Sequence, residues 1–206
     1  LANLQSDSYA TVSDYLTRSY QDGYLGSMYD MQGQGIPLVM PIDQEAVTRA
    51  VVLDSQLSTS LYDRMGEDVK AIKKSVRQEV SRGIAQGMTW SNIASNLARN
   101  MKHTPFQKAY NNSIRIARTE GHRIQNRAAL DAQKRAIDRG AEVVKQWNAV
   151  LDGRTRSEHR DLDGQIREVD EMFEVAGYKA EAPGLFGDPS QDCNCRCCLD
   201  QRARWA

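Results

Sequence analysis

The sequence predicts an α+β protein: a mainly helical N-terminal arm with one long basic helix, followed by a small C-terminal α+β module. Three observations carry this. Apolar residues recur at three-and-four spacing from about residue 43 to about residue 139. After Gly140 the texture changes, with β-branched and aromatic residues gathered in 142–150 and turn formers dense beyond them. Only three Phe and three Trp are present, so the core must come from Leu, Ile, Val, Ala and Met, which favours helices over a large sandwich.

Residues 1–42 read as a helix and an extended connection. Tyr9, Val12, Leu16 and Tyr20 have helical spacing, while Gly23, Gly26, Gly33, Gly35, Pro37 and Pro41 favour extended chain after them. Residues 43–140 form the helical region. Asp43 is the expected N-cap of a helix to about 65, with Ile42 and Val47 as a hydrophobic staple. Val47, Ala50, Val51, Leu53, Leu57 and Leu61 give its apolar face. A second helix over 67–86 carries Val69, Ile72, Val76, Val80 and Ile84 as one stripe and ends at Gly87. Thr89 caps the next, with Trp90, Ile93, Ala94 and Leu97 on a buried face. Thr104-Pro105-Phe106-Gln107 is the clearest helix start in the chain. The helix it opens runs to about Arg139, with Gly140 as C-cap. Its stripe of Ile114, Ala117, Gly121, Ile124, Ala128, Ala132 and Ala136 is narrow and small enough for another helix to approach closely.

Residues 141–206 are the module. A strand spans 142–150, Asp152-Gly153 turns, and Thr155-Arg156-Ser157-Glu158 is a capping box for a short helix to about Leu162. Asp163-Gly164 closes it. Extended pieces follow at 165–169 and 172–175, then a loop over 182–189 and a final cysteine-bearing strand over 193–199.

Net charge is zero, but it is unevenly spread. Residues 99–141 carry ten Lys and Arg against three Asp and Glu, a net of +7, between flanks of −3 and −4. Such a basic middle suits a DNA or acidic-protein surface, or a solvated arginine-rich helix. No apolar run is long enough for a membrane span. The first ten residues lack the basic head and apolar stretch of a secretory signal. The chain opens at Leu1 rather than at a methionine, which reads as a piece of a longer product.

All four cysteines, Cys193, Cys195, Cys197 and Cys198, lie within six residues. A secreted disulfide framework would spread them, so a reducing compartment and a local role are expected. Thiolates bind zinc well, and two of these with His159 and a carboxylate such as Asp152 or Asp163 make a tetrahedral set. The alternatives are small apolar thiols packed in a core, or a local redox role. On a straight strand Cys193, Cys195 and Cys197 share a face, and all three reach one ion only if the backbone bends. His159 with Asp152 and Asp163 also suits general acid–base work or a hydrogen-bonded turn. Arg154 and Arg156 can grip a phosphate or pair with nearby carboxylates. His103 and His122 are expected to face solvent. No nucleophile elbow or phosphate-binding glycine loop is present.

Ile114-Arg115-Ile116-Ala117-Arg118-Thr119-Glu120 resembles the signature of the phage head morphogenesis family, the Mu F-like minor head proteins. The likeness continues through Lys145-Gln146-Trp147, Leu151-Asp152-Gly153-Arg154-Thr155-Arg156, His159, Leu162-Asp163-Gly164-Gln165 and Ala182-Pro183-Gly184. It closes with Asn194-Cys195-Arg196-Cys197 and Gln201-Arg202-Ala203-Arg204-Trp205. The resemblance implies a structural minor capsid protein of a tailed bacteriophage, in the virion at the capsid interior or portal vertex, with no catalytic residues. Its implied partners are the portal protein, a capsid or scaffolding protein and packaged double-stranded DNA. It places His159, Cys195 and Cys197 on family positions, so a zinc site would centre on them, with Asp152 or Cys193 as fourth ligand. Arg115, Arg118, Arg123 and Arg127 are the expected DNA contacts. Trp147, Asp152, Thr155, Asp163 and Gly164 are expected to hold the module together. The competing readings are a metal-dependent nuclease or transferase effector centred on Asp152, His159 and Asp163, and a zinc-stabilised nucleic-acid adaptor.

Overall fold

A computed structural model describes residues 4–37, 40–53, 58–100 and 105–204. The elements in order are α1 (Leu4–Gly33), α2 (Gln44–Thr48) with a π-helical turn (Arg49–Leu53), α3 (Ser58–Ala85), α4 (Trp90–Asn100) and α5 (Pro105–Asp138). The module adds β1 (Val143–Asn148), α6 (Ser157–Asp161), β2 (Ile166–Glu168), β3 (Phe173–Val175), β4 (Tyr178–Ala180), α7 (Pro189–Asp192) and β5 (Cys198–Ala203). The α+β class expected from the sequence is the one found.

The chain forms two compact units, Leu1–Ser13 with Leu57–Ile116, and Asp14–Gln56 with Ala117–Ala206. In the first, Tyr9 and Val12 pack on Ile116. The Ile93 side chain fills the space that a Cβ at Gly83 would need, so α3 and α4 meet at a glycine. Thr89 accepts from the Asn92 amide at 3.3 Å and caps α4 as expected. Of the expected buried face, Ile93 is buried, but Trp90 is 71% exposed and Ala94 is exposed too. The expected end of one helix at about 65 and start of another at 67 are absent, because α3 runs through both. The Leu57 contact, the Thr104 cap, His103 and Trp205 lie outside the described residues.

The second unit holds the core that positions the site. α1 continues through Gly23 and Gly26, although those glycines predict extended chain. Packing is the reason: a Cβ at Gly23 would lie 2.8 Å from the Gln125 carbonyl oxygen. The residue serves close approach to α5 rather than a turn. Gly121 plays the reciprocal part, since a Cβ there would meet the Tyr15 hydroxyl at 2.6 Å. Ile124, Ala128, Ala132 and Ala136 of the expected stripe are fully buried. Asp43 caps α2 by accepting from the Glu45 amide at 3.0 Å, but the helix gives way to the π-helical turn at Arg49 rather than running to 65. Gly140, at φ +88, ends α5 while the Ala141 amide reaches back to the Ala136 carbonyl.

The sheet has the order β2-β1-β5, antiparallel throughout, with Trp147 opposite Leu199 and Lys145 opposite both Arg167 and Gln201. β3 and β4 form a hairpin across Ala176 and Gly177, both in the left-handed region that a two-residue turn of this kind requires. Around Trp147 pack Leu130, Leu162, Phe173, Leu199, Cys195 and Cys197. Among the described residues no helix is long and apolar enough to cross a membrane.

Lys145 is fully buried on the core side of β1. Its ammonium donates to the Val169 carbonyl at 3.0 Å and the Glu181 carbonyl at 2.8 Å, and lies 5.2 Å from the Phe173 ring centre. Burial pulls its pKa down to about 8. Below that pH the ammonium is charged in both folded and unfolded chains, and burial costs its full amount. Above it the folded chain sheds the proton first, so stability rises until the unfolded lysine titrates. Relative to Lys145→Met, the protein should gain on the order of 1–2 kcal/mol between about pH 8 and pH 10. Urea denaturation across that range checks this, and a pH-independent difference contradicts it.

Candidate metal centre

Three of the residues singled out in the sequence converge in the module core. His159 Nδ1 lies 3.6 Å from Cys195 Sγ and 3.4 Å from Cys197 Sγ. The three ligand atoms sit within 4.8 Å of one another. All three residues are buried, at 1%, 5% and 2% exposure. In a tetrahedral site with zinc–sulfur near 2.3 Å and zinc–nitrogen near 2.0 Å, nitrogen and sulfur ligands lie about 3.5 Å apart. The observed separations match that spacing, and two soft thiols with an imidazole are a donor set that zinc accepts.

Local structure explains the convergence. α6 projects His159 inward, beside the Trp147 ring at 5.6 Å edge-on and the Phe186 ring at 5.7 Å. The cysteine segment is not the straight strand expected. α7 ends at Asp192, Asn194 takes a left-handed conformation at φ +55, and β5 begins only at Cys198. That bend brings Cys195 and Cys197 to one point, while Cys198 is exposed and Cys193 half-buried outside the group. The His159 ring is oriented from behind, since Nε2 donates to Gln191 Oε1 at 3.0 Å. The Nδ1 lone pair is thereby left for the sulfurs' side of the ring. The Cys195 thiol donates to Cys197 and holds it well below the ordinary thiol range, with His159 adding to the effect. The same bond, with burial, pushes Cys195 up.

Neither carboxylate offered by the sequence enters the group. Asp152 is gripped by both Arg196 nitrogens, at 2.7 and 2.6 Å, and accepts the Arg154 amide at 2.9 Å. Asp163 accepts the Ala149 amide at 2.7 Å. An acid–base centre made of Asp152, His159 and Asp163 is therefore not assembled. Cys193 contributes its carbonyl to Arg156 at 2.8 Å. Thr155 does not cap α6, whose N-cap is Arg156; its hydroxyl donates to the Val150 carbonyl instead. Gly164, at φ +74, lets its amide reach the Trp147 carbonyl at 2.8 Å.

The four arginines of α5 divide. Arg115 and Arg118 are exposed. Arg123 is buried, pairs with Glu120 at 3.0 Å and donates to the Ala50 carbonyl at 3.0 Å. Arg127 pairs with Asp131 at 3.3 Å and Glu181 at 3.4 Å. These two are internal ties, which corrects the expectation of a four-arginine DNA surface. His122 also departs from its expected solvent position. It is half-buried, burial holds its pKa below the ordinary imidazole range, and its Nε2 lies 2.6 Å from the Cys197 carbonyl oxygen.

The residues missed in the sequence are those that hold the cysteine segment from α5. Thr119 accepts the Asn194 amide at 3.2 Å. Asn126 donates to the Cys197 carbonyl at 3.1 Å and accepts the Leu199 amide at 2.8 Å. Thr119, His122 and Asn126 are spaced three and four apart, a polar stripe that the sequence does carry. Gln191 has no comparable signal.

Residues 74–200 match the family model described as Phage Mu protein F like protein. The chain is 31% identical over 192 residues, 91% of its length, to a protein of Enterococcus faecalis named NAD(+)--arginine ADP-ribosyltransferase EFV. It is 40% identical over 98 residues, 47% of its length, to Minor head protein GP7 of Bacillus phage SPP1. It spans only 38% and 32% of those two curated relatives. No solved structure matches.

The Arg196 guanidinium, then the Arg154 amide, hold the Asp152 carboxyl well below the usual range. This contribution to stability is present above the ordinary carboxylate pKa and is lost as pH falls through the depressed one. In Arg196→Ala the Asp152 titration, followed by carboxyl-carbon NMR, should move up toward an ordinary value of about 3.9. An unmoved titration contradicts the pairing.

Proposed function

This chain belongs to the phage Mu protein F like family, and we propose that it works as a minor head protein of a tailed bacteriophage. The finer reading places it at the portal vertex, in the capsid interior, acting in procapsid assembly, DNA packaging or genome delivery. Its partners in this reading are the portal protein, a capsid or scaffolding protein and packaged double-stranded DNA. Its cofactor is zinc, at His159, Cys195 and Cys197.

The observation that carries the reading is the family match, which spans the whole of α4 and α5 and almost the whole module, together with the likeness to a protein named as a minor head protein. The likeness to a protein named as an ADP-ribosyltransferase covers nearly all of this chain but little more than a third of that protein. We read the shared region as a head-protein segment rather than as a transferase. An enzymatic reading predicts arginine ADP-ribosyl transfer from NAD(+) by this chain, and the structural reading predicts none.

DNA contact, on this reading, belongs to Arg115 and Arg118, which are exposed. Phosphate contacts make affinity fall with salt at a slope near 0.9 per contact. Arg115→Gln with Arg118→Gln should weaken duplex binding and reduce the slope of log affinity against log salt by about two. Arg123→Gln should lower stability instead. Co-purification of the chain with portal protein from procapsids tests the head assignment. Its absence from particles contradicts that assignment, and an unchanged salt slope contradicts the DNA contact alone.

A further inference from the structure

We propose that the ion at His159, Cys195 and Cys197 is a mechanical lock: it clamps the cysteine segment to α6 and so keeps that segment seated on α5. The inference rests on the zinc reading above.

The two pieces the ion would join are held to each other by side chains rather than by a sheet ladder. α6 is five residues long, and the segment from Cys193 to Cys197 is irregular backbone between α7 and β5. Neither α6 nor this segment belongs to a sheet ladder with the other. Between them run side-chain ties from the flanks: Arg156 to the Cys193 carbonyl at 2.8 Å, and Arg196 to Asp152. His159 and Cys195 are 36 residues apart in sequence. An ion bridging them closes a long loop at a single point, and its binding energy becomes folding energy.

The surroundings favour a clamp over a reaction centre. The ligating residues are buried and lie beside Trp147 and Phe186. A reacting metal keeps a position that substrate can enter, and burial of all three side chains denies a macromolecular substrate that approach. Among the described residues no fourth His, Cys, Asp or Glu joins the group.

The clamp acts on the same residues that α5 holds. The Asn194 amide, next to Cys195, donates to Thr119 at 3.2 Å. The Leu199 amide, two residues past Cys197, donates to Asn126 at 2.8 Å. The Cys197 carbonyl itself meets His122 and Asn126. Fixing the two sulfurs therefore fixes both amides against α5. The Trp147 amide, which donates to the Gln165 carbonyl at 3.0 Å on the far side of β1, is a control for the fold as a whole.

The test is elemental analysis of the full chain, followed by amide hydrogen exchange with zinc present and after chelation. About one zinc per chain is expected, with exchange at Asn194 and Leu199 faster by about tenfold or more on removal and Trp147 little changed. His159→Ala should give the same exchange pattern without chelator. If zinc is present but its removal leaves both amides as protected as before, the lock is wrong and the zinc site stands. If no zinc is retained and none binds on titration, the zinc reading fails and the lock with it, leaving the head-protein assignment untouched. Should the stripped chain unfold, recovery of both protected amides on returning zinc supports the lock, and failure to recover overturns it.

Discussion

The carboxamide of Asn126 is the contact on which the module depends. It donates to the Cys197 carbonyl and accepts the Leu199 amide, so it occupies the hydrogen-bonding groups that a neighbouring strand would take at the start of β5. Gln34 repeats the arrangement four residues on, donating to the Gln201 carbonyl at 2.9 Å and accepting the Ala203 amide at 2.7 Å. The spacing is that of one face of a strand edge, where outward-facing backbone groups recur every second residue. Two side-chain amides thus stand in for a fourth strand. The opposite edge is treated similarly, with Arg167 on the Ile166 carbonyl and Glu171 on the Glu168 amide. An open edge invites pairing with another chain. Here both edges are closed by side chains, and one of them is closed by helices that also set the cysteine segment in place.

That arrangement gives α5 two separate jobs. Its small stripe, with Gly121 and Ala128, lets α1 come close enough for the Tyr20 hydroxyl to donate to Asp131 at 2.7 Å. Its polar stripe of Thr119, His122 and Asn126 faces the segment that carries Cys195 and Cys197. The arginines fall between these faces. Arg123 and Arg127 tie the helix to Ala50 and Glu181, while Arg115 and Arg118 stay exposed. The +7 charge of this stretch is therefore partly neutralised inside the fold, and of these four arginines only Arg115 and Arg118 are exposed.

Much of this was legible in the sequence. The long helix could be read because a 3.6-residue stripe and a C-capping Gly140 agree with each other. The meeting of His159, Cys195 and Cys197 was visible as a resemblance of motif order, but not as geometry, because it needs the bend at Asn194 and a left-handed asparagine is not announced by spacing. Glycine misled at α1, where Gly23 looks like a chain breaker and is a contact surface; its meaning lies in Gln125, about a hundred residues away. Asp152 misled in the opposite way. A carboxylate near a histidine in sequence suggests a ligand, but Arg196 claims it, and that partner is 44 residues distant. Local rules recovered the long helix and the strand that carries Trp147, while at Gly23 and Asp152 a distant side chain decides.

α5 grips the cysteine segment through Asn126, and Asn126→Ala tests that grip most directly. The substitution strands the Cys197 carbonyl and the Leu199 amide in a buried site, at about 1–3 kcal/mol for each group left unpaired. Equilibrium urea denaturation should show a loss of roughly 2–5 kcal/mol. A loss within about 0.5 kcal/mol, the range of an ordinary surface substitution, would contradict it.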